Sequence, residues 1–410
     1  MADFTLMRDL ATEAKTKIVL LVMDGLGGLP RTPSGLTELE TANKPNLNRL
    51  AREGTLGLSV PVRLGISPGS GPAHLALFGY DPVQYDIGRG VLEAFGVGVP
   101  VGAQDVAARG NFCTVDAQGL ITDRRAGRIA SEKSAPIVAK LAQIKIPGVE
   151  IEVKPVKEYR FVVVFRGEGL LAEVEETDPQ KVGAAPLPAI AKPALSAVEG
   201  AAAQHTADIV NQWVTEARKL IKDEPQANTL TLRGFSSDPN LPKYRDVYKL
   251  KAACVAVYPM YKGVSQLVGM DVQKFEGDKP ADEFAQVKKI WNDYDFFFIH
   301  IKPTDSRGED GDFDGKVKVI EGVDEALPAL LDLQPDVLIV TGDHSTPAKL
   351  KNHSWHPVPL LLWAPATHMP DLAGEFGERA CTQGGLGRFP ATDLMPLALA
   401  HALRLERYGA

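Results

Sequence analysis

Cysteine is scarce in this sequence: 410 residues contain three, Cys113, Cys254 and Cys381, far apart and odd in number. No CxxC spacing exists, so neither a disulfide framework nor a thiolate zinc site is indicated, and a reducing cytoplasm is the expected setting. Long apolar runs are missing too. The best of them, Ile18–Met23 and Phe296–Ile301, are far too short to span a bilayer. Residues 1–17 carry Asp3, Asp9, Glu13 and Lys15 without an apolar stretch, so no signal peptide is read there. Positive charge is not in excess: the formal net charge is -7, and nothing in the bulk charge recruits nucleic acid or an anionic membrane. An anionic substrate would need a local arginine cluster working against that average field.

What is present alternates along the chain. Short runs rich in Val, Ile, Leu and Phe at 17–23, 252–257, 295–301, 336–340 and Val358–Trp363 read as buried parallel strands. Helical patterns at 45–54, 281–292, 313–333 and 390–404 lie among them. Strands alternating with helices predict an α/β fold, a mostly parallel sheet covered on both faces. Residues 106–244 read differently, with short strands at 150–153, 161–165 and 229–232 and helices at 131–143 and 204–221. The Ala/Pro-rich stretch 183–203 has almost no charge and reads as a loose surface loop or linker.

Polar residues able to bind metal fall where the predicted strands end, the edge at which parallel α/β sheets build their sites. Asp24 follows the first strand and precedes Gly25, Gly27 and Gly28; Asp305 follows the strand ending at Ile301; Asp343 and His344 follow the strand ending at Val340, with His353 and His356 shortly after. Mixed Asp/His ligation suits Mn²⁺, Zn²⁺ or Fe²⁺, and Mg²⁺ with more oxygens and waters. Taken singly, Asp24 could be only a turn residue and the histidines solvated loop residues. A nucleophile candidate is Ser70, between Gly69 and Gly71 and ahead of a helix start at 73–78, with Ser67 the weaker choice. Small neighbours admit a phosphate and a metal, and a bound cation can lower the pKa of a hydroxyl. Asp123-Arg-Arg-Ala-Gly-Arg places Arg124, Arg125 and Arg128 within five residues, with Arg109, Arg160, Arg166 and Arg233 in the same region. The guanidinium fork matches phosphate and carboxylate.

These motifs have a family. Met23-Asp-Gly-Leu-Gly, Thr41-Ala-Asn-Lys-Pro-Asn-Leu, Pro68-Gly-Ser-Gly-Pro-Ala-His-Leu, Gly79-Tyr-Asp-Pro, Gly88-Arg-Gly, Ala108-Arg-Gly-Asn-Phe, the arginine segment, Lys251-Ala-Ala-Cys, Asp310-Gly-Asp-Phe and Thr341-Gly-Asp-His-Ser-Thr-Pro occur in that order. The chain resembles the cofactor-independent phosphoglycerate mutases, in their shorter archaeal-type branch, within the alkaline phosphatase superfamily. The resemblance implies a phosphatase-like catalytic domain, 1–105 with 245–410, that holds two divalent cations, Mn²⁺ first and Mg²⁺ or Zn²⁺ as alternatives. A smaller α+β substrate-binding lid, 106–244, would be inserted in it. It implies one cation on Asp24, Ser70, Asp343 and His344 and another on Asp305, residue 309 and His353. Arg124, Arg125 and Arg128, with Asp123, Arg109, Arg160 and Arg233, would bind a small phosphorylated carboxylic acid. Lys251 would neutralise the transferring phosphoryl, and no 2,3-bisphosphoglycerate would be needed.

Two departures stand out. Glu309 occupies the place where the family usually has histidine, which favours Mn²⁺ or Mg²⁺ over Zn²⁺ and leaves Asp310 as a substitute ligand. Gly71-Pro72 replaces the usual Asp-Thr after the serine. A phosphomonoester hydrolase, another phosphomutase and a non-catalytic phosphometabolite-binding relative therefore stay open beside the mutase. Ser70→Ala is expected to abolish phosphoryl transfer while circular dichroism shows an intact fold, because a small loop hydroxyl contributes little packing. Retained transfer would remove Ser70 from the mechanism.

Overall fold

The computed structural model describes residues 3–85 and 87–409. It divides into two compact units, Met1–Asp86 with Pro242–Ala410, and Ile87–Leu241.

The first unit is built on an eight-stranded sheet in the order Gly387–Pro390, Thr55–Val60, Val358–Trp363, Val337–Thr341, Ile18–Met23, Phe296–Ile301, Ala252–Ala256, Asp271–Val272. Its four central strands run parallel, with Met23 level with Ile301 and Val22 level with Thr341. Every residue of those four is buried, which is why they read as unbroken apolar runs. Alternate residues Val19, Leu21, Met23, Phe297, Ile299, Leu338 and Val340 face one side. There they pack with Leu47 and Leu50 of the helix Pro45–Glu53, Phe284 and Val287 of Pro280–Ile290, and Ile320, Val323 and Leu327 of Phe313–Leu331. Because three strands end at one level, the loops after Met23, Ile301 and Thr341 emerge together.

One buried cation fastens two of these loops. Lys316, on the helix Phe313–Leu331, donates to the carbonyls of Gly25 (2.7 Å), Gly27 (3.1 Å) and Thr346 (2.9 Å). Gly25 turns there at φ +63, and a Cβ on it would sit 2.5 Å from Thr346 Oγ1 and 2.9 Å from Asp305 Oδ1, so glycine is required.

The second unit is an antiparallel sheet. Val106–Val115 pairs with Arg160–Arg166 along one edge and Thr229–Ser236 along the other, its end also pairs with Ile121–Asp123, and Glu150–Lys157 extends the sheet beyond Arg160–Arg166. The helices Ser131–Leu141 and Ala197–Ile221 cover one face, burying Ile137, Trp213 and Val214 against Phe161, Val163 and Phe165.

Several expectations are corrected. Val358–Trp363 runs antiparallel to both its neighbours, and Thr55–Val60 and Gly387–Pro390 extend the sheet beyond the strands read from sequence. Residues 87–105 belong to the second unit rather than the first, and 242–244 to the first. The helix Arg89–Gly96 lies on the inserted sheet, where Val91 N donates to Ser236 Oγ at 3.0 Å and Gly90 presses against Ala107. The stretch 183–203 is not a loose linker. Ala189 is buried and exchanges two hydrogen bonds with Asn211, and the helix already begins at Ala197, capped by Ser196 and Glu199.

Lys316→Met keeps the stem but takes a donor from three buried carbonyls, of which those of Gly25 and Gly27 keep only the Thr346 N–H. It is expected to cost about 3 kcal/mol of unfolding free energy, read by urea denaturation. A loss below about 0.5 kcal/mol would show that the loops hold without this tie.

Candidate functional site

At the carboxyl edge of the parallel strands, Asp24, Asp343 and His344 lie fully buried, with one potential ligand atom from each within 4.8 Å of the others. His344 Nε2 is 3.4 Å from Asp24 Oδ1 and 3.2 Å from Asp343 Oδ2, and neither of those oxygens receives a hydrogen bond. Buried carboxylate oxygens are normally satisfied. Two left over beside an imidazole fit a divalent cation, and the O/N donor set suits Mn²⁺, Fe²⁺ or Zn²⁺.

A second group, Asp305, His344 and His353, meets the same 4.8 Å criterion. His353 Nε2 is 3.5 Å from Asp305 Oδ1, and its ring stacks on that of His344 at 3.7 Å between centroids. His353 Nδ1 donates to the Pro68 carbonyl at 2.9 Å, which leaves Nε2 as the acceptor turned toward Asp305. Glu309 stands one turn beyond Asp305 on the helix Pro303–Asp310, half-exposed, 3.9 Å from His353 Nε2. It can join this second group but is not packed into it.

Ser70 opens the helix Ser70–Leu77, three residues earlier than the sequence reading placed the helix start. Its Oγ is 3.1 Å from His344 Nε2. No side chain caps that helix; Pro72 has no N–H and Ala73 N donates to the Gly69 carbonyl, so the N–H groups of Ser70 and Gly71 are the ones that could favour an anion. Ser67, by contrast, is exposed on the preceding loop.

The surroundings set the charges. Burial works against charge on Asp24, but Lys302, then His300 and His344, outweigh it and hold this carboxyl well below the usual range. Burial, reinforced by the charge of Asp24, pushes Asp343 well above it. Lys302 Nζ lies 3.0 Å from Asp24 Oδ2 and 2.5 Å from Asp305 Oδ2. Burial opposes its charge, yet Asp24, Tyr261 and Asp305 keep it firmly protonated. The Tyr261 hydroxyl donates to Asp24 Oδ2 and its ring stacks on His300 at 3.5 Å. Burial, then His300, drives His74 down to about 3, so that ring is neutral; its Nδ1 contacts the Ser70 carbonyl at 2.8 Å and Asp343 Oδ2 at 3.3 Å. Burial likewise lowers His344 and His300.

Lys251 is not in this site. It precedes the strand Ala252–Ala256 at the opposite edge of the sheet, where its N–H donates to Asp295 and its ammonium lies 4.8 Å over the Tyr294 ring. A five-residue strand puts that edge about 16 Å from the carboxyl edge. The lysine among the carboxylates is Lys302, which the sequence reading passed over although it directly follows a strand that delivers Asp305.

In the inserted unit, Arg109 pairs across the sheet with Arg233, and Asn111 with Arg160. Directly opposed residues share a face, and so do residues two apart, so the three arginines stand on one side of the sheet. Arg89 joins them: burial, then Arg233, lowers its pKa. Burial brings Arg109 down to about 10 despite the nearby Glu93. Arg124 and Arg233 share Asp178, at 3.0 and 3.7 Å. Arg125 and Arg128 are exposed. Asp123 shapes the turn: its two oxygens accept from the N–H groups of Arg125 and Gly127, both at 2.7 Å, with a lone pair left on each. Arg89 was missed because it stands outside the arginine-rich segment.

A family model described as 2,3-bisphosphoglycerate-independent phosphoglycerate mutase matches residues 51–227. A protein of Thermosipho africanus carrying the name probable 2,3-bisphosphoglycerate-independent phosphoglycerate mutase is 54% identical over 405 residues, 98% of each chain. One of Thermotoga maritima with the same name is 52% identical, again over 98% of each chain. Among solved structures, a Pyrococcus horikoshii protein superposes with a TM-score of 0.82 at 31% identity, covering 97% of this chain and all of the other. A cofactor-independent phosphoglycerate mutase of Thermoplasma acidophilum gives 0.70 at 29% identity, covering 94% and 100%.

Proposed function

The chain belongs to the 2,3-bisphosphoglycerate-independent phosphoglycerate mutases, which are isomerases, and we propose that it interconverts 3-phosphoglycerate and 2-phosphoglycerate through a phosphoserine on Ser70. The observation that carries this reading is the Ser70 hydroxyl 3.1 Å from His344 Nε2, beside the unsatisfied oxygens of Asp24 and Asp343.

In this reading Asp24, Asp343 and His344, with Ser70, hold one divalent cation, and Asp305 and His353, with Glu309, hold the other. Bound there, the cations supply positive charge that lowers the pKa of the serine hydroxyl and offsets charge on the transferring phosphoryl group. Manganese is the proposed ion, since Glu309 adds a hard oxygen where histidine would favour zinc.

The protein's own groups do the rest. Ser70 Oγ forms a bond to phosphorus as the ester oxygen of 3-phosphoglycerate leaves, giving phosphoserine and glycerate. The N–H groups of Ser70 and Gly71 and the ammonium of Lys302 serve the added negative charge, which is where phosphoryl transfer gains most. Arg109, Arg160 and Arg233, joined by Arg89, offer guanidinium forks of the kind that suit a carboxylate, and glycerate turns before the second transfer. Its 2-hydroxyl then attacks the phosphoserine, the Oγ–P bond breaks, and 2-phosphoglycerate leaves. Water must be kept out while phosphoserine exists, or the product is inorganic phosphate. This is a step of glycolysis and gluconeogenesis, and three buried free thiols suit a cytoplasmic protein; no helix among the described residues is long and apolar enough to cross a membrane.

The purified protein with Mn²⁺ and 3-phosphoglycerate is expected to form 2-phosphoglycerate without stoichiometric phosphate. Phosphate release instead would make it a hydrolase. In the same assay Lys302→Met is expected to lower kcat by about 100-fold or more, and Lys251→Ala to stay within about twofold. The reverse order would return the charge-neutralising role to Lys251.

A further inference from the structure

Each proposed cation site has its own donors, yet one hydroxyl touches both. Thr346 is completely buried two residues after His344. Its Oγ1 donates to Asp305 Oδ1 at 2.7 Å and lies 3.0 Å from His344 Nδ1. A hydroxyl has one proton to give. The Asp305 carboxylate takes it, so the threonine oxygen accepts from Nδ1–H of His344. That fixes the histidine tautomer and leaves the Nε2 lone pair directed at Asp24, Asp343 and Ser70.

The hydroxyl is itself held in place. Thr346 N donates to the carbonyls of Gly25 (3.2 Å) and Gly27 (3.0 Å), and its own carbonyl accepts from Lys316. The missing Cβ of Gly25 leaves the space that Oγ1 needs. Threonine therefore does two jobs through one atom. It orients the imidazole of one donor group and restrains the carboxylate of the other.

We propose that Thr346 is a positioning residue that couples the two cation sites, so that an ordered His344 in one favours an ordered Asp305 in the other. Partners that orient metal ligands typically change affinity by roughly 10–100-fold when removed. The proposal rests on the two-cation reading above, and the test separates the two.

Mn²⁺ is titrated calorimetrically into the full-length, metal-free protein. Wild type is expected to bind two ions per chain. Thr346→Val, which keeps the side-chain shape, and Thr346→Ala are each expected to weaken the second ion by about tenfold or more. Thr346→Ser restores the hydroxyl and is expected to bind within about threefold of wild type. Metal-free circular dichroism of the valine, alanine and serine variants is expected to show the wild-type fold, so that a change in Mn²⁺ affinity reads the hydroxyl rather than unfolding. Unchanged Mn²⁺ affinity in the valine or alanine variant would overturn the proposal. So would a serine variant as weak as the valine one, because packing would then be the cause. A wild type that binds fewer than two ions would instead remove the two-cation reading, and this proposal with it.

Discussion

Three carboxylates, Asp24, Asp305 and Asp343, are buried at one edge of a parallel sheet, and the rest of the site is arranged around the repulsion among them. Asp24 and Asp343 offer ligand atoms within 4.8 Å of each other. Two like charges at that separation repel by about 3 kcal/mol at an effective dielectric constant near 20. Lys302 reaches Asp24 and Asp305, and the Tyr261 hydroxyl reaches Asp24. Asp343 gains only a backbone N–H and two neutral imidazoles, which is why its carboxyl is pushed up while that of Asp24 is held down. One lysine does not balance three carboxylates. Keeping Asp343 charged there is costly unless a cation enters, and the unsatisfied oxygens of Asp24 and Asp343 mark where it fits.

The scaffold around that deficit is stiff for a reason. A donor set that relaxed into self-satisfied hydrogen bonds would lose its affinity for a cation. The carbonyls of the turn at Gly25 and of Thr346 are tied to Lys316 from below, and the hydroxyl of Thr346 spans His344 and Asp305 from within. Ser70 is placed by a different device. It begins a helix whose fifth residue, His74, returns a ring nitrogen to the Ser70 carbonyl. The donors thus come from segments far apart in sequence, brought to one level by the registers of three parallel strands, and Ser70 is brought to them by its own helix.

That registration is what made the donors legible in the sequence. Asp24, Asp305, Asp343 and His344 each follow an apolar run that is buried on both faces, and such runs predict both the sheet and the edge at which polar residues gather. Lys302 follows the same rule and was overlooked because motif similarity drew attention to Lys251. A motif says that a lysine is near a strand, but only the strand direction says at which end. The unit boundary was misplaced because the helix Arg89–Gly96 resembles any other helix until its packing on Ala107 and Ser236 is seen. The antiparallel course of Val358–Trp363 was hidden for the same reason, since a strand buried on both faces reads alike in either direction.

The claim on which the account turns is that this charge deficit is met by two cations in two distinct donor groups. Anomalous diffraction above the manganese edge, from crystals soaked in Mn²⁺, tests it most directly. The account predicts two peaks per chain, one contacted by Asp24, Asp343 and His344 and the other by Asp305 and His353. A single peak shared by all five residues, or none among them, would contradict it.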